Sequence, residues 1–374
     1  MTGDPGRGRT RSTAARRSAS CPSPRNAIPG VTRDILATWL GDPARLPGAR
    51  ITDLQTPEFS GFSSETLMVD VECGEAALAL AVRVAPLHYK VFPETRFAEE
   101  YRLMRILDAD TDIPVPPVLW YEPDPGHLGA PFLVMRRIEG RVPTDMPPYH
   151  TGGWVTEISP AEREAMWWSG LAILARLHRL DVTALPLSFL DQPRWGKPGL
   201  DQRLRYYEHY MNWAYPGPKP AATRALAWLK EHQPSERNVP VLLWGDSRIG
   251  NIIYAPGGTP LAVLDWEMAT FGQAEEDLAW YVYLDRHHSE GMEVPSLEGF
   301  PPQDETIARY EELLGRPMLD MGYYEVLSGF KFTVIMSRIA QAMIEWGLLD
   351  ADSDFPYNNN ASRLLDVILE GLPS

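Results

Sequence analysis

Apolar positions at helical spacing open the readable part of the chain: Ile35, Leu36, Trp39 and Leu40 share one face of a short amphipathic helix predicted over residues 31–40. Three β-like runs follow at 49–55, 65–72 and 76–84. Ser60-Gly61 and Cys73-Gly74-Glu75 mark the turns between them, which is the order of an antiparallel meander. Phe97, Tyr101, Leu103, Met104 and Leu107 then predict a helix over 94–107, and Pro114-Val115-Pro116-Pro117 stops it. Two more strands fit 118–122 and 131–138.

The second half changes period. Ser159-Pro160-Ala161-Glu162 reads as a capping box with proline at the first helical position, leading into a helix carrying Met166, Leu171, Leu174 and Leu177. Further helical patterns occupy 201–213, 222–231, 304–314, 323–346 and 361–369. Between them, 241–254 is expected to meet 261–264 in one hairpin through Pro256-Gly257-Gly258. The sum is an α+β chain: a lobe of antiparallel strands with one main helix over 29–138, then a larger, mainly helical lobe over 139–374. The seam falls at 136–141.

Composition narrows the class. The 374 residues are 44% hydrophobic and 23% charged, and no run approaches the ~20 apolar residues of a membrane helix. Cys21 and Cys73 offer no disulfide framework, so a reducing, cytoplasmic setting is the simpler expectation. Residues 1–28 carry six arginines against Asp4 among Pro, Ser, Gly and Thr, and are expected to be a disordered basic tail. Arg16-Arg17 lacks the apolar stretch of an export signal. Without that tail's excess of five positive charges, the net charge of −15 becomes about −20. Such a surface disfavours nucleic acid and anionic membrane, and suits a cationic partner.

The chemistry concentrates in Leu243-Trp244-Gly245-Asp246-Ser247-Arg248-Ile249-Gly250-Asn251, followed by Asp265 in Val263-Leu264-Asp265-Trp266-Glu267. Phosphoryl transfer needs a carboxylate aligned with the attacking hydroxyl and hard oxygen ligands for Mg²⁺. An Asp, an Asn five residues later and a second Asp returning on a hairpin can supply both.

These segments resemble the aminoglycoside phosphotransferase and choline kinase superfamily, which has a protein-kinase-like bilobal fold. The resemblance spans roughly residues 50–345. It implies ATP and Mg²⁺ as cofactors and a small hydroxylated substrate, with a cationic one suited to the net charge. It implies Asp246 as catalytic base, and Asn251 and Asp265 as Mg²⁺ ligands. Arg248 and Asp277, the latter in Asp277-Leu278-Ala279-Trp280, would support the loop. In the first lobe it makes Gly61, Ser63 and Ser64 the loop over the nucleotide, Arg83 the phosphate-binding residue of a strand, Glu100 its helix partner, and the backbone near Arg136 and Ile138 the adenine hinge. Arg83 departs from the usual lysine and Trp244 from the usual histidine. The competing class is a nucleotide-binding pseudokinase or scaffold; the loop wording also resembles kinase-like domains linked to hydroxyacyl-CoA metabolism.

Other features read as structural. His287-His288 is expected in a solvated loop, His178 as a residue complementing a helix dipole, and Trp167-Trp168, Tyr206, Tyr207, Tyr210 and Trp213 as core. Glu267 reads as a polar strand end, and 285–302 as a candidate lid over the substrate.

Overall fold

Helix α1 (Pro29–Leu40) leads into β1 (Arg50–Gln55), β2 (Glu65–Cys73) and β3 (Ala76–Val84), the meander that alternation predicts. This is a computed structural model, which describes residues 29–56, 64–86, 89–235 and 238–372; the basic tail, Gly61 and Ser63 lie outside them. Leu67, Val69 and Val71 of β2 are buried and pair with Val82, Leu80 and Leu78 of β3. Each such side chain contributes roughly 1.5–3 kcal/mol by leaving water. After α2 (Phe97–Asp110), β4 (Val118–Glu122) and β5 (Phe132–Arg136) complete an antiparallel sheet of order β1-β2-β3-β5-β4.

Helix α2 buries Phe97, Leu103, Met104 and Leu107, and Glu100 among them. It starts three residues later than its pattern suggests because residues 89–96 are used otherwise. Tyr89 Oη donates to Arg338 O, Arg338 Nε to Lys90 O (2.8 Å) and Tyr210 Oη to Val91 O (2.5 Å). That segment is a strap lying on the helical half.

The helical half comprises α3 (Pro160–His178), α4 (Leu200–Ala214), α5 (Pro220–Glu231), α6 (Ala274–His288), α7 (Gln303–Leu314), α8 (Met321–Glu345) and α9 (Asn360–Glu370). The capping box forms as expected, with Ser159 Oγ accepting from Glu162 N and Glu162 accepting from Ser159 N. The expected single hairpin is instead two ribbons. β6 (Val241–Leu243) pairs with β9 (Thr270–Gly272), and β7 (Ile252–Tyr254) with β8 (Pro260–Val263). A three-residue strand is too short to show periodicity, which is why β9 escapes the sequence.

Two further expectations are corrected. His287 and His288 lie in the last turn of α6, buried rather than in a solvated loop. Helix α6 is buried on nearly every side, so its sequence lacks the polar face that marks a surface helix. His288 Nδ1 lies 2.7 Å from Leu284 O, and burial with His288 beside it pulls His287 down to about 3. Nor are residues 285–302 a free lid: Arg163 Nε donates to Glu298 O (2.7 Å) and Leu297 N to His150 Nδ1 (3.2 Å).

Helices α4, α6 and α8 meet around a buried ionic cluster. Lys331 Nζ and Arg203 Nε each stand 2.9 Å from Glu276 Oε1, and Lys331 also lies 4.7 Å from the centre of the Trp280 ring. Burial would raise the Glu276 carboxyl, but Arg203 and Lys331 outweigh it and hold the group below its ordinary range. A carboxyl depressed in the folded state stabilises above its unfolded value, and that gain is lost as pH falls through the folded value. Breaking a buried pair from one side costs about 3–5 kcal/mol. With Arg203 still in place, Lys331→Met is expected to cost about 2–3 kcal/mol in urea denaturation at pH ~7. The deficit should shrink at pH ~4; an equal deficit at both would refute the charge assignment.

Candidate functional site

Strand β6 delivers the chain into the loop 244–251, and one buried carboxylate shapes it. Asp277 Oδ2 accepts from Trp244 N (2.7 Å) and Oδ1 from Gly245 N (3.0 Å), while Ser247 Oγ donates to Asp277 O (2.7 Å). His178 Nε2 lies 3.1 Å from Asp277 Oδ2, and its Nδ1 contacts Tyr310 Oη. His178 ends α3, as expected, and is in addition a buried brace of Asp277. Gly245 has φ +91°, and a Cβ there would sit 2.3 Å from Met268 O, so only glycine passes.

The loop turns the Asp246 carboxylate toward three donors. Asn251 Nδ2 reaches Oδ2 at 2.6 Å, Arg248 Nε reaches Oδ2 at 3.2 Å, and Trp280 Nε1 reaches Oδ1 at 2.7 Å. Arg248 also bonds Asp145 Oδ1 at 2.5 Å. Burial works against the Arg248 charge, but Asp145 and Asp246 hold its pKa above the ordinary arginine value.

The β7–β8 ribbon brings Asp265 beside Asn251, since Leu264 N donates to Asn251 O (2.8 Å). Asp265 adopts φ +60°, an unusual conformation for a residue with a side chain. Trp244, fully buried in place of the expected histidine, fastens it: Nε1 donates to Leu264 O (2.8 Å) and Asp265 O (3.2 Å). Asp265 Oδ1 is buried and accepts no hydrogen bond among the described residues; Arg83 Nη2 stands 3.6 Å away. Burial raises the Asp265 carboxyl; Arg83 opposes this and nearby Asp246 adds to it.

Arg83 joins the sheet to this centre. It pairs with Glu100, donates to Ser64 Oγ from Nε (3.2 Å) and Nη2 (3.1 Å), and faces Asp265. Burial opposes its charge, while Glu100, Asp265 and Glu267 more than restore it. Arg136 does not join them. Its amide donates to Pro117 O (3.0 Å) inside the sheet, whereas Ile138 N makes no backbone hydrogen bond among the described residues.

Two residues past Asp265, Glu267 forms part of an open cleft lined also by Phe92, Glu94, Arg96, Arg203 and Tyr206 among others. Glu267 is thus a cleft wall and not a strand end. Tyr207 and Tyr210 are core as expected, with Tyr207 also at the cleft; Trp213 is surface-exposed.

Asp145, Arg96, Arg203 and the Trp280 N–H were not legible as site residues. Only Trp280 carried a signal, lying one helical turn after Asp277 and so on the same face. Among the described residues no group of three or more His, Cys, Asp or Glu side chains is placed to hold a metal. No helix there is long and apolar enough to cross a membrane.

Comparison with known proteins bears on the fold and the family. A putative aminoglycoside phosphotransferase from Ralstonia eutropha superposes with a TM-score of 0.64 at 24% identity, covering 90% of this chain and 95% of that one. Aminoglycoside phosphotransferase APH(4)-Ia, in a complex with ADP and hygromycin B, gives 0.55 at 16% identity over 91% and 99%. These likenesses establish the protein-kinase-like fold. In sequence, a probable acyl-CoA dehydrogenase of Arabidopsis thaliana is 26% identical over 77% of this chain and 35% of its own. Acyl-CoA dehydrogenase family member 10 of Mus musculus is 30% identical over 64% and 22%. The chain thus spans about a third or less of the curated relatives it matches. The profile of the Phosphotransferase enzyme family covers residues 59–313, from before β2 to the end of α7 and including every site residue described above, and the chain belongs to that family.

Proposed function

We propose that the protein is a small-molecule kinase that moves the γ-phosphoryl group of ATP to a hydroxyl. The observation that carries this is the convergence of Asp246 and Asn251 of one loop with Asp265 after β8 and Arg83 of β3, three separate segments. A scaffold has no need of such a meeting, and the carboxylates a pseudokinase would be expected to lose are intact.

Mg²⁺ fits the residues present. Asp265 Oδ1 is a buried carboxylate oxygen with no hydrogen bond among the described residues, and Asn251 commits its amide nitrogen to Asp246, leaving its oxygen as the end able to meet a cation. Magnesium favours such oxygen donors and takes further ligands from phosphates and water. Bound there, it would supply charge neutralisation to the phosphates.

In this reading Asp246 accepts the hydroxyl proton as the acceptor oxygen bonds to phosphorus. The bond from phosphorus to the bridging oxygen breaks, and ADP leaves with the electron pair. Trp280 and Asn251 fix the carboxylate for that task. Arg83, charged and forked, receives phosphate oxygens in the role more often given to lysine. The backbone of Ile138 is the better adenine partner, since the Arg136 amide is committed. Because curated relatives are named acyl-CoA dehydrogenases, acyl compounds that also carry a hydroxyl come first among acceptors to be tried.

Four outcomes test the assignment. With Mg-ATP and a panel of hydroxyacyl thioesters, hydroxy acids, sugars, choline-like amines and aminoglycosides, ADP release should depend on one acceptor class. Asp246→Ala should lower kcat by ~10²–10⁴ with Mg-ATP affinity retained; full activity in that variant would remove Asp246 from catalysis. Asp265→Ala should abolish the Mg²⁺-dependent part of nucleotide binding in calorimetry, and unchanged binding would take it out of the metal site. Trp280→Phe removes one hydrogen bond to a charged group, worth about 1.5–3 kcal/mol. It should lower kcat by roughly 10- to 100-fold while KM stays put; a fall seen only in KM would make Trp280 a substrate contact instead.

A further inference from the structure

The cleft that Glu267 lines lies between the strap and helix α4, and its charges are unequally satisfied. Its acids are engaged: Glu94 pairs with Arg194, and Glu267 lies in the field of Arg83. Of its cations, Arg203 has Glu276 as a counter-charge, and Arg96 is the one left wanting. Arg96 forms no ion pair among the described residues; Nη1 donates to Ala269 O (3.1 Å), and Nη2 is buried with no acceptor. Arg203 Nε lies 2.9 Å from Glu276 Oε1 but is not aligned to donate to it, and Glu276 already has Lys331. Burial lowers the Arg96 pKa despite Glu99 and Glu94, whereas Arg83, Arg203 and Arg248, each close to a carboxylate, are shifted up. Arg96 is a half-buried cation short of a counter-charge.

We infer that this cleft is an anion subsite for the acceptor. Arg96 and Arg203 take a carboxylate or phosphate group of a small hydroxylated molecule, while Phe92, Met268 and Tyr206 take its apolar stretch. The inference rests on the kinase reading, which it deepens by naming the acceptor class. Guanidinium forks match such anions in geometry, and a desolvated arginine gains most from one. The floor of the cleft is continuous with the carboxylate that would activate the hydroxyl: Glu276, under Arg203, lies one turn before Trp280, whose N–H holds Asp246. The subsite therefore selects an acidic acceptor despite the negative charge of the chain as a whole, because local cations act at contact and the distant charges are screened.

The test pairs anionic acceptors with neutral counterparts: hydroxy carboxylates against their methyl esters, and glycerol 3-phosphate against glycerol. For the acceptor class that is turned over, kcat/KM should favour the anion by about tenfold or more, equal to ~1.4 kcal/mol. Arg96→Gln should erase the preference through KM, and Arg96→Lys should keep part of it. Arg203→Gln strips Glu276 of a counter-charge, so Arg96 carries the test. Equal use of both members, or a preference for aminoglycosides, would overturn the subsite and leave the kinase standing. If nothing is phosphorylated, the kinase reading fails on its own terms and binding decides the subsite. With the nucleotide site filled by Mg-AMP-PNP, glycerol 3-phosphate or a hydroxy carboxylate should raise the Tm of the full chain but not of Arg96→Gln. No rise with either anion, or the same rise in both proteins, overturns it.

Discussion

The buried carboxylate of Asp277 is the constraint on which the site depends. A charge removed from water must be met by donors or it destabilises the fold by several kcal/mol. Here two consecutive backbone amides, Trp244 N and Gly245 N, meet it, with His178 closing the far side. Satisfying that charge fixes the path of the loop just before Asp246. The direction of the Asp246 side chain is therefore set by an electrostatic requirement one layer below it.

The second layer of order is mutual. Trp244 carries the amide that Asp277 holds and also the indole N–H that holds the backbone of Asp265. A histidine at this position can offer a ring N–H in the same direction, so the departure from the usual residue preserves the bond and adds buried apolar surface. Asp265 in turn faces Arg83, whose charge exists in the sheet because Glu100 is buried in α2. A chain of buried charges thus runs from the helix behind the catalytic loop to the helix behind the sheet.

Much of this was legible because it is local. Alternation gave β2 and β3, and the spacing of Asp246, Asn251 and Asp265 in one loop and ribbon needed no knowledge of distant contacts. What escaped is what only packing decides. Nothing in His287-His288 distinguishes a buried helix end from a loop, since a helix enclosed on all sides shows no polar face. Asp145 and Arg248 are 103 residues apart, and no pattern announces that they meet. The late start of α2 likewise reflects contacts of residues 89–96 with Arg338 and Tyr210, far along the chain. At Arg136, the last residue of β5, the amide is taken up by Pro117 O, a contact that the strand pattern alone does not announce.

The strap has a mechanical meaning. The sheet is joined to the helical half covalently through residues 137–141, where Arg137 N bonds Ala79 O and Arg141 N bonds Tyr254 O. It is joined a second time where Tyr89, Lys90 and Val91 bond helices α4 and α8. Further ties run directly between the halves: Val263 N donates to Pro114 O (2.8 Å), Arg96 Nη1 donates to Ala269 O (3.1 Å), and Arg176 pairs with Asp112. A body held at several separate points cannot gape like a jaw, so the facing of Arg83 and Asp265 is shared out among all of these ties rather than resting on one hinge.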